Sequence, residues 1–500
     1  MPSRRHRTSP LTPLLWLMVG VLTAPNAECG FGDLVIELGP DGTESNAVFG
    51  YSVAAGGETI AVGAPGIHKV YLFDRETLSV VSESTPGAPG APGSGFGFSV
   101  ALFDDVLVAG AVSSFNPDGV WRHTGSVYRA ALPSASTERL ATTGPSFQDS
   151  DVAGFSVATS ADVIVTGAPR GGRQPDDETG SVHVYDAATG NYLQTLAHDD
   201  AERGHFFGAS VAVAGDVILV GADHSETFPA TEGAAYVFDR VTGQQTAKLT
   251  FEYEYKPPYS ASYRGREQIG TSVSLYDGTA YVGAPSAHPG LGIGGVFAID
   301  LATGEEQVYS ALNDGAALFG ESIAVDDGLL LVGASLNTFD APTYFGGAFL
   351  FDTATGLQIH EFSSPENDIR TVFGAAVALH DGVAVIGAAG ANNKQGAAYV
   401  YDVSNPQLPG DFNGDRLINN ADLNLLLNHW GSGELPAEWD GRQLAGEAVA
   451  NAELNGLLYA WGRGDGATDT GVVPEPTAAG LLSVLLIGVA STRRDARPLA

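Results

Sequence analysis

Apolar and polar positions follow one pattern over residues 207–239, which read FGASVAVAGDVILVGADHSETFPATEGAAYVFD. After a Phe-Gly pair, residues 210–213 alternate small and apolar side chains, as expected of a strand with one buried face. Ala214-Gly215-Asp216 are turn residues, and residues 217–220 form a continuous apolar run that ends at Gly221-Ala222. A polar loop and a further apolar segment, 233–239, complete the unit. The pattern predicts three strands.

The same pattern occurs seven times along the chain. Each copy begins at a Phe-Gly-like pair, and these pairs are Phe49-Gly50, Phe96-Gly97, Gly154-Phe155 (transposed), Phe207-Gly208, Ile269-Gly270, Phe319-Gly320 and Phe373-Gly374. The third segments read VYLFD, SVYRA, VHVYD, AYVFD, VFAID, AFLFD and AYVYD. Spacings run from 47 residues (Gly50 to Gly97) to 62 residues (Gly208 to Gly270).

A repeat of about fifty residues with three clear strands and a weaker fourth is typical of propeller blades. The fourth strand is expected after each Thr-Gly turn, as at Tyr192–Leu196. Continuous apolar second strands fit blades that neighbours cover on both faces. We therefore predict an all-β fold, a seven-bladed β-propeller over residues 31–402. These residues resemble the FG-GAP repeat of integrin α-subunit propellers and their bacterial relatives.

The ends of the repeat region suggest how the ring closes. Leu34–Leu38 precedes the first Phe-Gly pair, whereas the seventh copy runs into residues 403–410 without a Thr-Gly turn or a fourth strand. We predict that the N-terminal strand completes blade seven and removes an exposed sheet edge. The alternative is a disordered segment after the signal peptide.

Composition narrows the function classes. The formal net charge of −34 would repel nucleic acid and anionic headgroups, so no nucleic-acid partner is predicted. A single cysteine excludes an internal disulfide framework. Residues 1–27 have the basic start and apolar core of a secretory signal peptide, which predicts export.

Candidate ligand positions lie in the loops before the Phe-Gly pairs. Several of these loops are acidic, as at Asp199, Asp200 and Glu202, and would place carboxylates on one rim. A protein this acidic also scatters carboxylates by chance. The longest repeat carries aromatic residues that would stack on sugar rings, Tyr253, Tyr255, Tyr259 and Tyr263. The alternative, an elongated edge strand with a packed loop, is the more common explanation of such a run.

The sequence contains no recognisable catalytic constellation. The string G-x-S-V-A begins at Gly50, Gly97, Gly154 and Gly208. It differs from the G-x-S-x-G nucleophile elbow only in its last residue, which is alanine instead of glycine. The string recurs in four repeats, whereas a hydrolase needs a single nucleophile, so the recurrence argues against a catalytic role for these serines. The strand hairpins also hold too few oxygen ligands for the 6–8 that Ca²⁺ takes, so no calcium site is predicted in the blades.

After the linker 403–410, residues 411–462 change in character. Asp411, Asn413, Asp415, Asn419 and Asp422 occupy oxygen-ligand positions of an EF-hand-type loop, and Leu417 would contribute its carbonyl. A short helix is predicted over 421–430, and a second copy without most ligands follows 31 residues later, aligning 421–431 with 452–462. This small α-helical module resembles a dockerin type I repeat, which implies one bound Ca²⁺. Arg416 stands where the loop normally has glycine.

The last segment follows the linker 463–473. Pro474-Glu475-Pro476, an apolar run over 478–490 and Arg493-Arg494 occur in that order. Residues 474–500 resemble a PEP-CTERM sorting signal, which implies processing by an exosortase-type membrane enzyme. Thirteen apolar residues make a helix of about 20 Å, too short for a hydrocarbon core of about 30 Å, so we expect transient membrane association.

Taken together, these features predict an exported bacterial protein of the cell surface or extracellular matrix that serves binding or structure. An exopolysaccharide or another surface protein is the expected partner. The alternative is a secreted propeller enzyme, a glycoside hydrolase or lyase acting on polysaccharide. Carboxylates converging on one deep pocket would favour the enzyme.

Overall fold

A computed structural model describes residues 31–40, 46–86, 95–113, 124–134, 136–140, 152–169, 179–199, 206–223, 233–251, 268–286, 294–311, 316–337, 346–366, 369–404, 411–412, 418 and 420–429. Within these ranges the chain forms seven four-stranded antiparallel sheets. Each sheet is one blade. The all-β, seven-bladed propeller predicted from the repeats is therefore confirmed.

The strands follow the repeats closely. In chain order they are β1 (Leu34–Leu38); β2 (Ser52–Gly56), β3 (Thr59–Ala64), β4 (Lys69–Asp74) and β5 (Val80–Ser84) of blade 1; β6 (Phe96–Phe103), β7 (Val106–Ser113), β8 (Thr124–Ala131) and β9 (Thr137–Arg139) of blade 2; β10 (Ser156–Thr159), β11 (Val163–Ala168), β12 (Ser181–Asp186) and β13 (Tyr192–Leu196) of blade 3; β14 (Phe207–Ala214), β15 (Val217–Ala222), β16 (Ala234–Asp239) and β17 (Gln245–Leu249) of blade 4; β18 (Ser272–Tyr276), β19 (Thr279–Ala284), β20 (Gly295–Asp300) and β21 (Glu306–Tyr309) of blade 5; β22 (Ala316–Ala317), β23 (Ser322–Asp326), β24 (Leu329–Ala334), β25 (Leu336–Asn337), β26 (Gly347–Asp352) and β27 (Gln358–Ser363) of blade 6; and β28 (Phe373–His380), β29 (Val383–Ala388) and β30 (Ala397–Asp402) of blade 7. β22 and β25 form a separate two-stranded pair.

The first strands of the blades form the inner ring. Each of them contacts the first strands of both neighbouring blades, and β28 of blade 7 contacts β2 of blade 1. Blades arranged in this way surround a central channel. Each second strand lies inside its own blade, is covered on both faces by the neighbouring blades and is almost fully buried, as the continuous apolar runs predicted.

The ring closes through the N-terminal strand. β1 pairs antiparallel with β30 and supplies the fourth strand of blade 7, with Leu38 opposite Ala398. The Gly32 N–H also donates to the Asp402 carbonyl, 2.7 Å away. Closure by Leu34–Leu38 is thus confirmed, and the alternative of a disordered segment is wrong.

Because neighbouring strands are antiparallel, the connections divide between the two ends of the propeller. We call the end with the Phe-Gly pairs the FG face, and the end with the first-to-second strand hairpins the hairpin face. Hairpin-face connections are short, such as Gly215-Asp216 between β14 and β15. The long connections open on the FG face, as between β7 and β8 or between β17 and β18. The chain enters β1 and leaves β30 on the hairpin face.

In blades 1, 2, 4, 6 and 7 the phenylalanine of the Phe-Gly pair anchors the blade core. Phe207 packs edge-on against Tyr236 of the third strand, with ring centroids 5.6 Å apart, and Phe49 contacts Tyr71 in the same way at 5.3 Å. Such aromatic pairs contribute about 0.5–1.5 kcal/mol beyond burial of their area. The same position in the third strands is aromatic or histidine in every blade, namely Tyr71, Tyr128, His183, Tyr236, Phe297, Phe349 and Tyr399.

Blade 3 differs from the predicted transposition. Gly154 keeps the place of the Phe-Gly glycine, because its N–H donates to the Gly167 carbonyl as Gly50 donates to Gly63 in blade 1. The buried Ala153 therefore fills the position of the core phenylalanine. Phe155 is not its substitute but lies at the end of the inner ring.

Short turns after the third strands use many of the acidic residues. The Asp239 carboxylate accepts bonds from the N–H and the hydroxyl of Thr242, both at 2.7 Å. These hydrogen bonds hold the pKa of Asp239 below its usual range. The arrangement recurs at Asp74, Asp186 and Asp352, so part of the negative charge has a structural role.

The region after blade 7 is described only in part. Helix α1 (Ala391–Lys394) is a single turn in the β29–β30 connection, and helix α2 (Asn420–Asn428) lies within the predicted 421–430 helix apart from its first residue. No helix among the residues that the structure describes has the length and apolar content to cross a membrane. The predicted signal peptide, second helix and sorting segment lie outside these residues.

Candidate functional site

The FG face carries one ring of side chains at the mouth of the channel. They are the residues that directly follow the Phe-Gly glycine at the start of each inner strand, one from each blade, and we call them the mouth ring. In blade order they are Tyr51, Phe98, Phe155, Ala209, Thr271, Glu321 and Ala375. Blades 4 and 7 contribute alanine, the smallest side chain of the ring.

Blades 1 to 3 supply an aromatic arc. The rings of Tyr51 and Phe98 lie 5.0 Å apart with a 45° tilt, and those of Phe98 and Phe155 lie 5.3 Å apart with a 47° tilt. Tyr51 is 40% exposed, and both phenylalanines are half-buried. Three tilted rings in a row present a curved apolar surface to whatever occupies the mouth.

Blade 6 supplies a carboxylate. Of the seven mouth-ring positions, Glu321 is the only acid, and it is half-buried. The hydroxyl of Ser335 donates to Oε2 of Glu321, and the Ser335 backbone N–H donates to the same carboxylate. Burial raises the pKa of Glu321, and the two bonds from Ser335 oppose that rise.

Tyr51 and Glu321 act on each other electrostatically. Burial raises the pKa of Tyr51, and the negative charge of Glu321 raises it further. Blade 7 lies between these two residues and contributes only Ala375 to the ring. A raised carboxyl pKa beside an aromatic surface is a feature of binding and active sites, although ion pairs in purely structural networks shift pKa values too.

The predicted rim residues are only partly described. Asp199 is exposed, and its N–H donates to Oε1 of Gln245, 3.2 Å away. The other predicted rim positions lie outside the described residues: Asp200, Glu202, Tyr253, Tyr255, Tyr259 and Tyr263. The fourth strands that precede these positions, β13 and β17, end at the FG face.

The predicted calcium loop is described at its two ends. Asp411 is 3% exposed and Asp422 is fully buried, and Oδ1 of Asp422 accepts the Phe412 N–H at 2.7 Å. Asn413, Asp415, Leu417 and Asn419 lie outside the described residues, as does the sorting motif Pro474, Glu475 and Pro476. Within the described part of the chain, no three His, Cys, Asp or Glu residues are grouped as a metal site requires.

Three carboxylates of the hairpin face pair with arginines, two of them across blades. Arg75 of blade 1 pairs with Asp381 of blade 7 at 2.7 Å. Arg240 of blade 4 pairs with Asp162 of blade 3 at 3.2 Å and with Asp216 of its own blade at 3.0 Å. These pairs connect hairpins rather than form a pocket.

The recurring serines have a structural role. In six blades the serine hydroxyl donates to the glycine carbonyl of the next Phe-Gly pair, and the bonds are Ser52–Gly97 (2.8 Å), Ser99–Gly154 (2.9 Å), Ser156–Gly208 (2.9 Å), Ser210–Gly270 (2.8 Å), Ser272–Gly320 (2.7 Å) and Ser322–Gly374 (2.8 Å). The next blade approaches so closely that a Cβ on Gly63 would lie 2.2 Å from the Gly97 carbonyl oxygen. A hydroxyl committed in this way is not a nucleophile.

Comparison with known proteins supports the repeat assignment. Residues 192–238 match the family described as FG-GAP repeat. The match runs from the fourth strand of blade 3 into the third strand of blade 4, so it covers one repeat. FG-GAP repeats are typical of extracellular or surface proteins. A search of curated proteins returned no match.

Sequence reasoning did not identify the mouth ring. Its signal was present, because aligning the seven repeats on their glycines places Glu321 where the other copies have aromatic residues, alanine or threonine. The partner Ser335 was not visible, since its contact with Glu321 depends on how β23 and β24 pair.

Proposed function

We propose that the protein is an exported binding protein of the cell surface or extracellular matrix, and that its FG face holds the ligand. The observation that carries the proposal is the mouth ring, which combines the aromatic arc of Tyr51, Phe98 and Phe155 with the Glu321 carboxylate, whose charge acts on Tyr51. Aromatic faces attract cations, and a desolvated carboxylate does so more strongly. The ligand class that fits is an organic cation with an apolar body.

The charge of the whole protein supports this ligand class. A net charge of −34 attracts cations to the surface, and a cleft of that sign speeds their arrival. A neutral sugar ring would stack on the aromatic arc but leave the charge of Glu321 without compensation, at a cost in desolvation. A basic side chain of another surface protein therefore fits the mouth better than an exopolysaccharide does.

The C-terminal region would serve attachment. We propose that residues 411–422 bind one Ca²⁺ through Asp411, Asn413, Asp415, Leu417, Asn419 and Asp422, because their spacing is that of an EF-hand-type loop and both ends of the loop are buried. We also propose that an exosortase-type enzyme processes the chain at Pro474, Glu475 and Pro476. Intact-mass measurement of the native protein tests processing, since a C-terminus still at Ala500 contradicts it.

The enzyme alternative depends on the same carboxylate. Glycosidases use two carboxyl groups across the scissile bond, and the mouth ring has one. Release of reducing ends or unsaturated uronates from a polysaccharide panel, lost in Glu321→Gln, would establish that alternative in place of binding.

Binding is tested by calorimetry with Nα-acetyl-lysine methylamide as the probe and the uncharged norleucine analogue as its control. We expect the lysine probe to bind and Glu321→Gln to weaken it about tenfold, because a hydrogen bond to a charged group is lost. Asp277→Asn is the matched control, since it removes one negative charge from the hairpin face and should leave affinity unchanged. No heat from the lysine probe with correctly folded protein contradicts the proposal.

A further inference from the structure

The Glu321–Ser335 contact belongs to blade 6 alone. Ser335 follows the Gly-Ala pair that ends the second strand, and the equivalent residues elsewhere are Pro65, Val112, Pro169, Asp223, Pro285 and Ala389. The fold therefore accepts proline, alanine, valine or aspartate at this place. Packing does not require a serine at this position, and the Ser335 hydroxyl instead donates a hydrogen bond to the Glu321 carboxylate.

The contact limits what the carboxylate can offer a ligand. Ser335 is 2% exposed, so its hydroxyl is held in place on Oε2, and its backbone N–H takes a second site on the same group. An ionised carboxyl group has about four lone-pair sites on its two oxygens. Two of them are occupied before any ligand arrives.

The two common organic cations differ in what they need. A guanidinium group binds best as a fork, with two parallel N–H bonds to both carboxylate oxygens. An ammonium group is a compact charge that needs one open oxygen and can place its remaining surface against aromatic rings. The Ser335 hydroxyl holds one of the two sites on Oε2, which leaves a fork fewer ways to reach both oxygens, so Glu321 suits the ammonium group.

We propose that Ser335 is a specificity-determining residue of the mouth ring and makes it select an ammonium group over a guanidinium group. This inference rests on the proposed cation-binding function. Ser335 acts through Glu321 and is a positioning residue. The ligand would be a primary amine with an apolar stem, either a lysine side chain of a partner protein or a free alkylamine.

The test measures the affinities of two matched probes, Nα-acetyl-lysine methylamide and Nα-acetyl-arginine methylamide, by calorimetry on the whole protein. We expect the parent to prefer the lysine probe about fivefold. Ser335→Ala should move that ratio about fivefold or more toward the arginine probe, because Oε2 becomes open to the fork. Ser335→Thr keeps a hydroxyl and should restore the parental preference.

A pH series supplies a second readout. The bonds from Ser335 lower the pKa of Glu321, so Ser335→Ala should raise it. Binding of the lysine probe requires the ionised carboxylate. As the pH is lowered, this variant should therefore lose binding at a higher pH than the parent does. Comparing n-butylamine with the lysine probe separates the two sources: equal affinities indicate a free amine, and tighter binding of the capped lysine indicates a protein partner.

Each outcome decides the matter. Binding of neither probe defeats the proposed function and this inference with it. Binding of both with equal affinity, or a preference for arginine in the parent, overturns the inference and leaves the proposed function intact. This parental comparison stands even if Ser335→Ala fails to fold. If Ser335→Ala leaves the preference for the lysine probe over the arginine probe unchanged, the role of Ser335 in specificity is also overturned.

Discussion

The hydroxyl of Ser52 in blade 1 donates to the carbonyl of Gly97 in blade 2, 2.8 Å away. Equivalent bonds join every pair of successive blades from blade 1 to blade 7. At the seventh junction, between blade 7 and blade 1, the serine is replaced by Ala376. The acceptor is still there, because the Gly50 carbonyl approaches Gly387 as the Gly97 carbonyl approaches Gly63. The junction that joins the two ends of the ring thus lacks one bond.

Ala376→Ser should therefore stabilise the propeller. The added hydroxyl would donate to the Gly50 carbonyl, and such a bond contributes about 1 kcal/mol to the free energy of unfolding. Thermal unfolding should shift upward by about 1 °C for a propeller of this size. As a control, Ser210→Ala removes a bond that exists and should lower the midpoint. A variant Ala376→Ser that melts with the parent or below it contradicts the account of this junction.

Closure by β1 predicts a contrast between two leucines of the same strand. Leu38 is 3% exposed and packs with Phe49 and Val53, whereas Leu34 is 43% exposed. Leu38→Ala should lower the free energy of unfolding by about 2–5 kcal/mol, as expected for a buried leucine. Leu34→Ala should change it by less than about 0.5 kcal/mol. Equal effects of the two substitutions in urea unfolding would mean that β1 does not close the ring in solution.

The buried His183 predicts a loss of stability in acid. Its ring lies between the Ser181 and Thr195 hydroxyls, at 3.3 and 2.9 Å, and burial lowers the pKa of His183 to about 4. A histidine that binds its proton less readily when folded loses stability as the pH falls below its unfolded pKa of about 6.5. The loss continues to about pH 4.

From pH 7 to pH 5 this histidine should cost roughly 2 kcal/mol. Urea unfolding of the parent and of His183→Gln at both pH values measures it, because glutamine keeps hydrogen bonding without titrating. The variant should lose less stability than the parent over this range. The same pH dependence in both proteins would show that His183 is protonated as easily in the folded state as in the unfolded one.

The repeats were sufficient to predict the propeller because each blade carries local signals for its strands, namely a glycine before the inner strand, a buried apolar run and, in blades 3 to 6, a Thr-Gly turn. Closure was also predictable, since one strand was missing at the seventh copy and one was spare at Leu34–Leu38. Blade 3 was misjudged because Phe155 looks like a core phenylalanine, and only the Gly154–Gly167 hydrogen bond fixes its register. The Glu321–Ser335 pair depends on strand pairing and could not be read from the sequence.

The last prediction concerns calcium. The Phe412 N–H bond to Asp422 ties the start of the loop to helix α2, with Asp411 and Asp422 both buried. Asp411 and Asp422 are the first and last oxygen-ligand positions of the predicted EF-hand-type loop, so Ca²⁺ should order the module as it binds. Calorimetry on the whole protein should show one calcium site that Asp411→Asn weakens strongly. Arg416→Gly should tighten it, because glycine makes the sharp turn without strain. Asp239→Asn, in a blade turn, should leave calcium affinity unchanged, and a calcium-dependent heat that survives Asp411→Asn at full affinity would place the site elsewhere.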